Sequence, residues 1–214
     1  MWIPRASTVG SLMASPEKSK IPDGGMTFLE NELSKIILEW EDEMDFRTLQ
    51  KGLMVEDQSI ELYNDVFFTN YTKNTERKTT EYLTGECDID DEDSSLIIDI
   101  KSAFSKKSFP MVLHLTGRKG YEWQLRSYMH LWDRNKAQLA YCLVNTPYEL
   151  IGNDPENWHI VDSINPVFRV STINLDRDSK KEDQLLDRIR ISQDWMNEAL
   201  DKRGYKFAIE GLAA

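Results

Sequence analysis

The segment Leu96-Ile97-Ile98-Asp99-Ile100-Lys101 constrains the fold more than any other part of the chain. It is apolar and β-branched, the composition of a buried strand, and one aspartate interrupts it. Side chains alternate along a strand, so Asp99 and Lys101 share one face while Ile98 and Ile100 point into a core on the other. A charge inside a buried strand is costly unless it is paired or bound to a metal. Asp99 is therefore the residue that any fold for this chain must accommodate. The preceding run, Asp90 to Ser95, is polar and turn-prone. A reversal with its tip near Asp93 and Ser94 sets Asp88 opposite Asp99 across an antiparallel pair, with Cβ atoms roughly 5 Å apart. Two carboxylates and Lys101 then meet on one hairpin, a grouping that can hold a divalent cation and activate a water against a phosphate.

Two plainer readings compete. Asp99 and Lys101 could be a weak ion pair on an exposed strand edge. Asp88, Asp90, Glu92 and Asp99 also fall at the first, third, fifth and twelfth positions of a calcium loop. The sixth position of such a loop needs Gly for its sharp turn, but Asp93 stands there and a strand rather than a helix follows, so calcium is set aside.

The formal net charge of −11 argues against a polyanionic partner until its distribution is read. Glu81 to Asp99 carries eight acidic residues and no basic one, whereas Lys101 to Lys136 carries eight basic residues against Glu122 and Asp133 alone. An acidic focus for a cation followed at once by a basic surface suits a metal-dependent enzyme acting on a polyanion. The 214 residues suffice for one domain, 1–214. No apolar run is long enough to span a membrane, and residues 1–13 lack the pattern of a secretory signal. Cys87 and Cys142 form no CxxC pair and read as buried, reduced thiols. A soluble, cytoplasmic protein without a membrane partner is expected, in the host cytoplasm if a phage encodes it. His114, His130 and His159 have no paired metal-ligand spacing and read as packing or surface residues, and no GxxxxGK[ST] loop is present.

Residues 1–26 read as irregular apart from a short helical piece near Ser7. The capping-box pattern Thr27-Phe28-Leu29-Glu30 predicts a helix to about Met44. A second helix is expected from Gly52 to Val66, strands over 67–73, 80–89 and 96–101, a helix over 121–132, strands over 137–144 and 167–175, and a last helix from Ser179 to Arg203, ended by Gly204. The order predicts a mixed α/β fold with one central sheet. Glu56 falls on the stripe of the second helix with Ile60 and Tyr63, an unusual place for a carboxylate, and is a candidate third acid. Gln124 and Tyr128, four apart, share a helix face, and an amide and a phenol can both orient a phosphate or water.

Taken in order, Gly52-x-x-x-Glu56, Gly85-x-x-Asp88, Asp99-Ile100-Lys101 and Gln124-x-x-x-Tyr128 resemble the PD-(D/E)XK nuclease superfamily. Within it the chain is similar to phage λ-type and YqaJ-like exonucleases and RecB-type nuclease domains, most closely over residues 50–145. The resemblance implies a restriction-endonuclease-like core, a central mixed β-sheet flanked by helices. It implies that Asp88, Asp99 and the Ile100 carbonyl ligate Mg²⁺ or Mn²⁺, with Glu56 helping to hold a second metal or its water. Lys101 would orient and help deprotonate the attacking water, and Gln124 and Tyr128 would position the scissile phosphate. The chain departs from the pattern in having Asp99 where Glu is commoner and Cys87 where Pro often precedes the first Asp. Two cysteines cannot build the iron–sulfur cluster of some relatives.

The function so implied is a metal-dependent exodeoxyribonuclease on linear double-stranded DNA in phage-like recombination or replication. A structure-specific or nicking endonuclease and an inactive DNA-binding or assembly module are the alternatives. Lys106, Lys107, Arg118, Lys119 and Arg126 are candidates for DNA backbone contacts, with Arg5 a weaker candidate for a terminal phosphate. A single-strand annealing protein and further copies of the chain are the partners such an enzyme would have.

Overall fold

In the computed structural model, residues 2–41, 46–115 and 119–205 are described. A four-stranded sheet organises them, in the order β3 (Ile89–Asp91), β4 (Leu96–Ser102), β5 (Lys136–Cys142) and β6 (Val170–Asp176). β3 and β6 run antiparallel to their neighbours and β4 pairs parallel with β5, so the sheet is mixed. A separate two-stranded pairing joins β1 (Lys78–Thr79) to β2 (Thr84–Gly85). The helices are α1 (Asp23–Leu38), α2 (Arg47–Met54), α3 (Glu56–Phe67), α4 (Lys119–Trp132), the short α5 (Tyr148–Ile151) and α6 (Ser179–Lys202).

The alternation of β4 separates two cores. Ile98 and Ile100 pack with Ala140 and Cys142 against Ile60 and Tyr63 of α3. Ile97 packs on the opposite face with Leu139 of β5, Leu125 and Met129 of α4, and Leu185 and Ile189 of α6. Each fully buried Ile or Leu contributes about 1.5–3 kcal/mol relative to exposure. α4 makes the crossover that a parallel β4–β5 pair requires. Close packing of β2 on α4 needs Gly85, because a Cβ there would lie 3.0 Å from both Ala6 Cβ and Tyr128 Cε1.

Several expected elements differ, each for a local reason. α1 starts at Asp23, and Thr27 donates its hydroxyl to the Asp23 carbonyl from inside the helix instead of capping it. α1 ends at Leu38 with Glu39 in the left-handed region and residues 40 and 41 outside any helix; the remainder of the expected helix, 42–44, lies outside the described residues. The single helix over 52–66 is two helices, broken at Val55, and the first begins at Arg47. Residues 67–73 form no strand. They wrap around Asn64, whose Oδ1 accepts from Thr69 Oγ1 and Tyr71 N and whose Nδ2 donates to Tyr71 O. Residues 80–89 are broken by a turn in which Thr80 Oγ1 accepts from the backbone of Tyr82 and Leu83.

Two buried cations hold loops to this frame. Lys51 of α2 donates to the carbonyls of Ala103, Phe104 and Val144, at 2.6, 3.2 and 2.8 Å, where the chain leaves β4 and β5. Arg188 of α6 donates to the carbonyls of Leu12, Ser15 and Lys18, fixing the N-terminal segment. Neither cation was foreseen. For Arg188 the signal was present in its place on the apolar stripe of α6, between Leu185 and Ile189. Cys87 and Cys142 are both free and buried, as expected. Among the described residues no helix is long and apolar enough to cross a membrane.

Candidate active site

The hairpin register is Ile89 to Ile98, Asp90 to Ile97 and Asp91 to Leu96. Extended by one step it sets Asp88 across from Asp99, as the position of the turn predicted. Asp88 sits just before β3, where the ladder has stopped, and its Oδ2 accepts the Ile100 N–H at 2.6 Å. The carboxylate thus replaces the strand partner that Ile100 lacks. The N–H and C=O of one strand residue point to the same edge, so the Ile100 carbonyl also faces the Asp88 side.

Asp99 is 1% exposed, on the β4 face that α4 covers. Its Oδ1 accepts from Gln124 Nε2 at 3.2 Å, and the same nitrogen donates to Tyr128 Oη at 3.0 Å. Lys101 Nζ stands 2.7 Å from Asp99 Oδ2. Asp99 Oδ2 is buried, and this ammonium is its charge partner. Lys101, its side chain about 25% exposed, also lies over the Tyr121 ring, 5.6 Å from the centroid.

The electrostatics describe two acids sharing one cation. Burial pushes the Asp88 carboxyl well above the ordinary carboxylate range, and the charge of Asp99 pushes it further, against the pull of Lys101. Burial opposes the Lys101 charge, but Asp99 and Asp88 outweigh it and hold the ammonium above its usual range. Such a pair is deficient in positive charge and rich in hard oxygen donors, the chemistry that Mg²⁺ and Mn²⁺ select.

Asp88, Ile100 and Lys101 line a cleft of about 580 Å³ at the carboxyl end of β4, with Glu56, Tyr121 and Tyr141 among others, while Asp99 is buried and does not line it. Ligand crevices in open α/β sheets favour this end of the strands. Glu56 reaches the cleft as the first residue of α3, at the positive end of the helix dipole. The break at Val55 makes it the first residue of its helix, one turn before Ile60 on the stripe expected for it. Lys73 Nζ, not foreseen, stands 2.7 Å from Glu56 Oε2. Among the described residues no three acidic, His or Cys side chains form a ready-made metal cage. Asp88, Asp99 and Lys101 are thus brought together directly, and Glu56 shares the cleft of Asp88 and Lys101.

Gln124 and Tyr128 are 6% and 4% exposed; Gln124 is bonded to both Asp99 and Tyr128, and Tyr128 reaches the acid only through Gln124. Both amide protons of Gln124 are committed there, so its shown contacts orient the acid. Gln124→Leu should leave Asp99 Oδ1 without its donor, lowering kcat by about 10–100-fold in a nuclease assay. An unchanged kcat would show that Lys101 alone orients Asp99.

Of the basic candidates, Lys106 and Lys107 are exposed on the loop after β4. Lys106 Nζ donates to Asn157 O at 2.6 Å, and Lys107 Nζ lies 3.4 Å from the centre of the Trp158 ring. Arg126 differs from them: it is 6% exposed and gives two hydrogen bonds to Glu122 four residues before it, a carboxylate that Lys181 also holds, so little of the guanidinium is open to solvent. Arg118 lies outside the described residues, and Lys119 opens α4. Arg5 is exposed, its backbone bridged to Thr84 beside β1 and β2. The acidic turn is partly tied down: Asp90 takes two hydrogen bonds from Arg134, and Asp91 accepts from Tyr71 Oη. His130 pairs with Glu182, and His159 is buried against Thr146, so both serve packing as expected.

A scan against protein-family models gives no match, and neither does a search of curated proteins. Solved structures do match. A phage-related exonuclease from Haemophilus somnus 129PT superposes with a TM-score of 0.87 at 26% identity, covering 94% of this chain and 96% of that one. The alkaline exonuclease LHK-Exo from Laribacter hongkongensis superposes with a TM-score of 0.65 at 13% identity, over 96% and 94% of the two chains. LHK-Exo in complex with dAMP gives a TM-score of 0.59 at 12% identity. At these lower identities the likeness is one of fold. Over nearly its whole length the chain is therefore similar to a phage-related exonuclease, in a mixed α/β fold that it shares with an alkaline one.

Proposed function

We propose that the chain is a metal-dependent exodeoxyribonuclease of the PD-(D/E)XK type, acting on the ends of linear double-stranded DNA. The observation that carries this reading is the convergence of Asp88, Asp99 and Lys101 at one end of β4, with Glu56 in the same cleft. The likeness to a phage-related exonuclease supports the choice of exonuclease over other phosphodiesterases. A nucleotide bound to LHK-Exo is consistent with a nucleic-acid substrate.

The residues fit a hard divalent cation. Asp99 Oδ2 is a buried carboxylate oxygen facing Lys101, and burial and like charge disfavour ionised Asp88 until more positive charge arrives. Asp88, Asp99 and the Ile100 carbonyl would hold Mg²⁺ or Mn²⁺, with Glu56 nearest to a second ion or its water. Bound there, the ion supplies a nucleophilic water and neutralises charge on the phosphate.

The chain's own groups supply the rest. Lys101 holds a fixed positive charge beside Asp99, where negative charge on a phosphoryl oxygen grows during attack. Its protonated state suits this electrostatic role and orientation of the water. Gln124 and Tyr128 fix Asp99 so that the acid does not reorganise during the reaction. Lys106 and Lys107, on the loop that leaves β4, can take backbone phosphates outside the cleft.

Digestion of end-labelled linear duplex and of closed circular duplex with Mg²⁺ tests this. The linear DNA is expected to shorten progressively while circles stay intact. Nicked or linearised circles would replace the exonuclease with an endonuclease. Uncut DNA of both kinds, with folded protein and either Mg²⁺ or Mn²⁺, would reduce the chain to a binding module.

A further inference from the structure

The wall of the cleft opposite β4 contains a glycine that the fold does not require. Gly52 is the third residue from the end of α2 and lines the cleft one turn before Glu56. Glycine weakens a helix relative to alanine and is normally kept there by a positive φ or by close contact with another part of the protein. Neither applies. The glycines with positive φ among the described residues are Gly152 and Gly204. A Cβ built on Gly52 would meet nothing within 4 Å, so no neighbouring side chain or backbone needs the space. The break between α2 and α3 is made at Val55 and does not depend on Gly52 either. Gly85 shows the contrast, since the protein itself fills the space its missing side chain leaves.

We infer that the space over Gly52 belongs to the substrate: the sugar–phosphate of the strand being cut passes against the bare backbone of α2 to reach Asp88 and Lys101. This rests on the nuclease reading above and adds a steric determinant to it. The neighbours on the same rim suit a nucleotide. Leu49 and Leu53, 46% and 57% exposed, flank Gly52 with apolar surface, and Thr48 adds a hydroxyl to the lining. A Cβ at position 52 would stand free of protein atoms on a cleft that Asp88 and Lys101 also line. Because nothing in the free protein occupies that space, the obstruction is felt only when substrate enters.

This makes an opposed pair of expectations. Gly52→Ala and Gly52→Leu should leave the protein at least as stable, with thermal midpoints raised by up to about 2–4 °C. They should weaken DNA processing in proportion to size. For Gly52→Ala, KM for a linear duplex is expected to rise about tenfold with a smaller change in kcat. For Gly52→Leu, cleavage is expected to fall by about 100-fold or more.

Thermal melting, Mg²⁺-supported digestion, and anisotropy of a labelled duplex in metal-free buffer are measured on wild type and both variants. Raised midpoints with graded loss of binding and cleavage support the inference. Wild-type cleavage with equal rates and affinities in both variants overturns it while leaving the nuclease reading intact. Lower midpoints in both variants would also overturn it, by showing that the fold does use Gly52. A wild type that neither cleaves nor binds duplex would end the nuclease reading and this inference with it.

Discussion

Lys101→Ala is expected to lower Mg²⁺-supported DNA cleavage by about 10²–10³-fold or more while leaving metal binding largely intact. The loss follows from position. Lys101 is the cation 2.7 Å from Asp99 in a site where solvent reaches only about 25% of its side chain. Charge fixed in a partly dehydrated cleft stabilises a developing anion far more than the same charge in water. The variant has a second signature. Without Lys101, Asp88 and Asp99 face each other with no cation between them, so the metal-free protein should melt lower than wild type. Mg²⁺ should still stabilise the folded Lys101→Ala protein about as much as it does wild type, because an ion that binds only the folded state stabilises by mass action. Near wild-type cleavage in a folded Lys101→Ala protein would remove Lys101 from the reaction.

Asp99→Asn should have an effect as large on cleavage and the reverse effect on metal response. The amide has nearly the shape of the acid, and its oxygen can still accept from Gln124. What disappears is one of two charges competing for Lys101. Burial and Asp99 together hold the Asp88 carboxyl above its ordinary range, so that range should relax downward when Asp99 loses its charge. The metal-free variant is therefore expected to fold normally. Its affinity for Mg²⁺ should fall with the loss of a ligand, and cleavage should drop by about 10³-fold. In wild type, Mg²⁺ at about 100 times its Kd adds about 2.7 kcal/mol, a rise of several degrees in melting temperature for a chain of this size. Melting curves with and without Mg²⁺ should show that rise in wild type and little of it in Asp99→Asn. An equal rise in both would place the metal elsewhere.

The part of the site carried by strand alternation and turn position was legible in the sequence. Leu96 to Ile100 could only be a buried strand, the turn residues fixed its reversal, and the register placing Asp88 across from Asp99 followed. Gln124 and Tyr128 were found by helical spacing, but their contacts were not, because spacing shows which face residues share and not what that face meets. They meet Asp99. The basic candidates were legible as charge but not as surface. Arg126 was read toward DNA, whereas a Glu one helical turn before it captures the guanidinium inside the protein.

Two of the misread elements share one cause. Residues 67–73 have the aromatic and β-branched composition of a strand, and Thr80 stands in another such run. In both places a short polar side chain competes for the backbone and wins: Asn64 in the first, Thr80 in the second. Such contests depend on where the chain has already been placed by its core. Lys51 was illegible for the same reason. Its burial depends on three carbonyls from segments 52, 53 and 93 residues away.

The central claim is that Asp88, Asp99 and Lys101 form one metal-dependent phosphodiesterase centre. Its most direct test is release of mononucleotides from a uniformly labelled linear duplex, by wild type and Asp99→Asn side by side, with Mg²⁺ and with EDTA. Release by wild type with Mg²⁺ alone is the expected result. Equal release by Asp99→Asn, or release by wild type in EDTA, would contradict it.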